Sequence, residues 1–116
     1  MKCEDKMTGI KLIARERKRQ IEKEGWTAEH DDEHKQGQLV DAAVCYALPE
    51  KYRDIDIIVK YTRNYTREFF DAFWPWEDKD WKPTPDNRIR ELEKAGALIA
   101  AEIDRLLRKE EKEKAI

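Results

Sequence analysis

His30 and His34 stand four residues apart in the run Glu29-His30-Asp31-Asp32-Glu33-His34. On a helix that spacing sets both imidazoles on one face, the spacing of divalent-metal ligands, with four carboxylates among them. The run also suits a helix start, where Asp31 or Asp32 caps free N–H groups and the other charges stay in water. We adopt this plainer reading, because the block straddles an element boundary. A magnesium site of the kind used by all-helical nucleotide pyrophosphohydrolases needs acids from two facing helices. Glu29 and Asp32 have Glu-x-x-Asp spacing, and Glu91 and Glu102 lie on the last helix, but no paired acids oppose them. No metal ligand or cofactor is assigned, and magnesium enters only with a hydrolase alternative built on Glu29, Asp31, Asp32 and Glu102.

A second group is Trp74, Trp76 and Trp81, three indoles within eight residues, with Lys79, Lys82 and Arg88 nearby. Aromatic rings stack on bases, and Lys or Arg take phosphates. The competing reading is that these rings plug a small core. Three in one loop exceed simple core filling, and an indole N–H needs an acceptor, which suits a half-exposed pocket. On the first helix, Lys11, Arg15, Lys18 and Arg19 alternate with Glu16, Glu22 and Glu24, so that face reads as solvated and salt-bridged. There is no GxSxG, P-loop, GxGxxG or HExxH pattern, and the chain contains no serine to act as nucleophile. Cys45 lies in an apolar run, a poor setting for a thiolate, and Cys3 and Cys45 form no zinc or disulfide framework.

Three helices must position these groups. Thr8 to Glu24 carries Ile10, Ile13, Ala14, Arg17 and Ile21 on one face, with Thr8 as cap and Gly25 at the left-handed end position. About Asp32 to Leu48 is the second, with a stripe of Leu39, Ala43, Tyr46 and Ala47, stopped by Pro49. Thr84-Pro85-Asp86-Asn87 starts the third, which keeps Ile89, Leu92, Ala95, Ile99, Ile103 and Leu106 on its apolar face to about Lys109. Between them, residues 50 to 73 fit either a hairpin turning near Arg63-Asn64 or, from Tyr65 to Phe73, a helix. Trp74 to Pro83 reads as a loop. The fold class is mainly α: one domain over 1–116, a compact bundle of three main helices with an inserted aromatic-rich segment, frayed at 1–7 and 110–116.

Composition narrows the function classes. Of 116 residues, 43% are charged, yet 24 basic and 26 acidic side chains leave a net charge of only −2. That balance argues against a polycation coating nucleic acid. Mean hydropathy is −0.98, but eleven aromatic residues are uncharacteristic of a disordered chain. No apolar run reaches membrane-spanning length, and the first residues lack the apolar stretch of a secretory signal. With so little cysteine, a cytoplasmic setting is expected.

Most of the chain resembles a family of small phage and prophage proteins. The blocks that carry the likeness are IARERKRQIEKEGWTAEHDDEHKQGQLVDAAVCYA, WPWEDKDWKP and ELEKAGALIAAEIDRLLR. The first half and final helix are also similar to the repeat domain of ryanodine receptors and its bacterial relatives. Gly25-Trp26, Asp31-Asp32, Leu39, Tyr46, Leu48-Pro49-Glu50 and Asp54 or Asp56 follow that domain's order. His30 stands where it has Arg, and about thirty residues containing the WPW loop are inserted. This resemblance implies a helical protein of the bacterial host cytoplasm with a pocket for a nucleotide or nucleotide-derived signal around Trp26, Asp31, Asp32 and Tyr46. The expectation is therefore a non-catalytic binding protein. Trp26, Trp74, Trp76 and Trp81 would stack, Lys82 and Arg88 meet phosphate, and Asp31 and Asp32 meet ribose or amine groups, with His30, His34 and Tyr46 completing the wall. The alternatives are the metal-dependent hydrolase and an interaction module whose Trp loop binds a host protein or another copy of the chain.

Overall fold

The computed structural model describes residues 6–52, 56–60, 64–68 and 73–115. Helix α1 spans Gly9–Lys23, and the Thr8 hydroxyl accepts from the Lys11 N–H at 3.3 Å. Gly25, at φ +76°, ends it in the left-handed region expected of it. Helix α2 is the short Ala28–Asp32, capped by Thr27, whose hydroxyl accepts from the His30 N–H. Helix α3 is Gln38–Ala47, and α4 is Arg88–Lys114. Strands β1 (Asp56–Lys60) and β2 (Asn64–Glu68) pair antiparallel with Ile58 opposite Thr66, so the hairpin alternative describes this segment. The turn expected at Arg63, and residues 69–72 of the rival helix, lie outside the described residues. The protein is mainly α, with α4 packed along both α3 and α1 and touching α2.

Four sequence expectations need correction. The helix expected from Asp32 to Leu48 begins only at Gln38, and Asp32 ends the separate short helix α2. The N–H groups of Glu33 and His34 fold back to the carbonyls of His30 and Asp31, and Gly37 adopts φ +83°, so the chain turns before α3 begins. The last helix is capped one turn later than read. Asn87, not Thr84, accepts from the Arg90 N–H, and the helix continues past Lys109 to Lys114. Its apolar face is not the buried one. Ala95, Ala97, Leu98 and Ala101 are buried, whereas Ile89, Leu92, Ile99, Ile103 and Leu106 are 43–62% exposed. Small side chains win because α4 lies close against Ala42 and Ala43 of α3, where Leu98 and Leu39 are the largest fully buried apolar groups. Finally, α1 buries Glu16 and Gln20 rather than its isoleucines, and Ile10 is 82% exposed.

Ionic bonds explain that last choice. The carboxylate of Glu16 accepts from Arg19 at 2.8 and 3.0 Å and from Gln20 at 3.1 Å, and it pairs with Arg90 of α4. Burial pushes its pKa up, but the two guanidiniums outweigh it and hold the carboxyl below its ordinary value. Beside this network α1 and α4 meet closely, since a Cβ on Gly96 would lie 2.5 Å from Ile13 Cδ1.

The aromatic loop is tied down by backbone groups. Lys82 N–H donates to the Tyr46 hydroxyl at 3.1 Å, Lys94 Nζ to the Lys82 carbonyl at 2.6 Å, and Thr84 N–H to Glu91 at 3.0 Å. A single short turn, Asp78–Asp80, interrupts the otherwise irregular chain from Trp74 to Pro83.

Candidate functional site

The left-handed Gly25 turns the chain so that the Trp26 N–H reaches the Gln20 carbonyl at 3.0 Å, which fixes the indole at the end of α1. One turn later α2 presents His30 parallel to that indole, with ring centroids 5.8 Å apart and planes 4° apart. Trp76, from the aromatic loop, stands 5.7 Å from Trp26 and 5.3 Å from His34. These four rings wall a cavity of about 350 Å³. Its polar lining is Glu24, Glu77, Asp80 and Lys82. Three carboxylates and one ammonium form this lining; Glu24 is shared by Lys82 and Arg19, and Glu77 pairs with Lys79, each at 3.6 Å.

The histidines are held from behind. His30 Nδ1 lies 2.9 Å from Asp31 Oδ1, and Asp31 is fully buried, with Arg17 donating to its other oxygen at 3.2 Å. A carboxylate only accepts, so Nδ1 carries the hydrogen and Nε2 is turned toward His34. The two Nε2 atoms are 3.4 Å apart. Burial, and then the neighbouring His30, push the His34 pKa below its ordinary value and favour the neutral ring. The buried indole N–H of Trp76 has no acceptor among the described residues.

The structure thus brings together five of the sequence candidates: Trp26, His30, His34, Trp76 and Lys82. It places the others elsewhere. Asp31 stands behind His30. Asp32 faces away and pairs with Arg108 at 2.7 Å, which holds its carboxyl below the ordinary value. There it borders a second cavity of about 260 Å³, lined by Lys35, Arg105, Arg108, Lys109 and Lys112. Trp74 is 8% exposed, packs edge-on against Tyr46, and donates its N–H to the Glu77 carbonyl at 3.0 Å. Trp81 covers Tyr46 at 4.6 Å. So one loop Trp walls the cavity and the other two fill and seal the core. Arg88 donates to the Tyr46, Ala47 and Leu48 carbonyls and caps the end of α3. The acidic members Glu24, Glu77 and Asp80 were missed. Only adjacency to Trp26 and Trp76 pointed to the first two, and surface acids are common in this chain.

The acids of the hydrolase alternative do not converge. Asp31 and Asp32 are paired as above, Glu29 is exposed, and Glu102 is held by Arg105 at 2.7 and 2.9 Å. Among the described residues, no group of three or more His, Cys, Asp or Glu side chains is placed to hold a metal ion. Likewise, no helix there is long and apolar enough to cross a membrane. Comparison with protein-family models, curated proteins and solved structures finds no match to this chain.

Proposed function

We propose that this is a small phage-type binding protein that holds the base of a nucleotide or nucleotide-derived signal, acting by sequestration in the host cytoplasm. The observation that carries the reading is the ring-walled cavity. Trp26 and His30 lie parallel, and Trp76 stands beside Trp26 and His34, a volume and lining suited to a planar nitrogenous ring. The buried Trp76 N–H adds a donor in want of an acceptor. Lys82 is the one ammonium in a lining with three carboxylates, so a nucleoside, a monophosphate or a cyclic derivative suits it better than a triphosphate. Three of the four carboxylates a hydrolase would use, Asp31, Asp32 and Glu102, are engaged by arginines and the fourth, Glu29, is exposed, which favours binding over turnover. A thermal-shift series with adenine nucleosides, nucleotides and cyclic derivatives tests this. A ligand at 100 times its Kd adds about 2.7 kcal/mol. For a domain this size that is roughly 10 °C, and no shift with any of them at millimolar concentration refutes the reading.

A second reading, self-association, is favoured by the outer face of α4. Leu92, Ile99, Ile103 and Leu106 are 43–53% exposed and fall on the 3-4 spacing of a coiled-coil seam.

A further inference from the structure

We infer that His30 and His34 form a two-imidazole site for a divalent transition-metal ion of the zinc class, with the ion's remaining coordination positions open to the cavity. The inference concerns the same cavity as the binding reading but does not depend on a nucleotide. Its first support is a distance. Two nitrogens bound tetrahedrally to zinc, at ~2.0–2.1 Å each, lie ~3.3–3.4 Å from one another. The two Nε2 atoms are 3.4 Å apart. As a hydrogen bond that contact is long, beyond the usual ~2.7–3.2 Å for a nitrogen donor.

The second support is the tautomer. Asp31 accepts from His30 Nδ1 at 2.9 Å and is itself fixed by Arg17, the carboxylate–histidine arrangement that directs an Nε2 lone pair toward a metal. Asp31 is therefore a positioning residue, and its burial keeps it rigid. The third is the field. Glu24, Glu77 and Asp80 line the same space; Glu24 is shared by Lys82 and Arg19 and Glu77 pairs with Lys79, each at 3.6 Å, and Asp80 adds a further carboxylate to the lining that favours a cation. With two protein ligands, the ion retains water or takes a donor from a bound molecule. It would add to Lys82 a second positive charge for a phosphate-bearing ligand in this cavity.

The experiment uses metal alone. Chelator-treated full-length protein in a Cys3→Ala background, which removes a competing thiol, is titrated with Zn²⁺ by calorimetry and with Co²⁺ by visible absorption, near pH 7.5. One ion per chain is expected. His30→Ala and His34→Ala should each weaken binding by roughly tenfold or more, with helicity unchanged by circular dichroism, while Glu29→Gln should leave it intact. Binding should also be lost on acidification, since ligation requires neutral imidazoles. If either alanine variant fails to fold, long-range ¹H–¹⁵N spectra of the unsubstituted protein decide the matter. Zn²⁺ must then move the Nε2 resonances of both rings. No stoichiometric binding, or binding that survives both substitutions, overturns the inference. Because no nucleotide is present, the ligand reading can fail while this site stands, and the reverse.

Discussion

Gly96→Ala sets two known effects against each other at the α1–α4 contact. Alanine in a helix interior gains about 0.8–1 kcal/mol over glycine. Here the new Cβ would lie 2.5 Å from Ile13 Cδ1 and 2.7 Å from Ile13 Cγ1. Ile13 is β-branched and has few rotamers to move into, so α1 must shift, and overpacking of this kind costs about 1–3 kcal/mol. The net expectation is a loss of about 1 kcal/mol, or roughly 4–5 °C in Tm. In an Ile13→Ala background the obstruction is gone, and the same substitution should stabilise by up to about 1 kcal/mol. Urea denaturation of the four proteins, followed by circular dichroism, yields a coupling energy of about 2 kcal/mol. If Gly96→Ala stabilises equally in both backgrounds, α1 does not pack on α4 as described.

Three further outcomes follow from the same contacts. Glu16→Ala should cost about 2–3 kcal/mol in urea denaturation. That is below the value for a fully buried pair, because Arg19 and Arg90 remain partly in water. The His34 and Glu16 pKa values are both depressed by folding, so both contribute stability that is complete above their unfolded values, 6.5 and 4.5, and lost as pH falls. Urea midpoints should therefore decline below about pH 6.5 and again below about pH 4.5, with His34→Gln removing the upper step. Ile103→Glu should abolish any self-association seen by sedimentation without loss of helicity, since Ile103 is 53% exposed. Association that persists in this variant excludes the α4 seam.

The elements legible in the sequence were those with local chemical signals. The Thr8 cap, the left-handed Gly25 and the long apolar-rich α4 stand where their residue types direct. The late start of α3 was hidden because Asp32 to Leu48 reads as one amphipathic run, and only Gly37 marked where the helix begins. The buried face of α4 was not legible for a different reason. From Ala95 to Leu107 apolar residues occur all round the helix, and which side is buried depends on how closely Ala42 and Ala43 allow α3 to approach. The cavity was half visible. Trp26, His30 and His34 form a local sequence block, but Trp76 was indistinguishable from Trp74 and Trp81 until the fold placed the latter two against Tyr46. Asp31 and Asp32 are neighbours in sequence, and the helical turn sends them to opposite surroundings, one behind His30 and one to Arg108.

The central claim is that the rings around the cavity, and not the core tryptophans, receive the ligand. The four indole N–H resonances of ¹⁵N-labelled protein, assigned through single Trp→Phe variants, test it directly as adenine nucleosides, nucleotides and cyclic derivatives are added. The account predicts saturable shifts at Trp26 and Trp76, with Trp74 unmoved because its N–H is already given to the Glu77 carbonyl. Saturable shifts confined to Trp74 and Trp81, or none at Trp26 and Trp76 with any of these ligands, would contradict it.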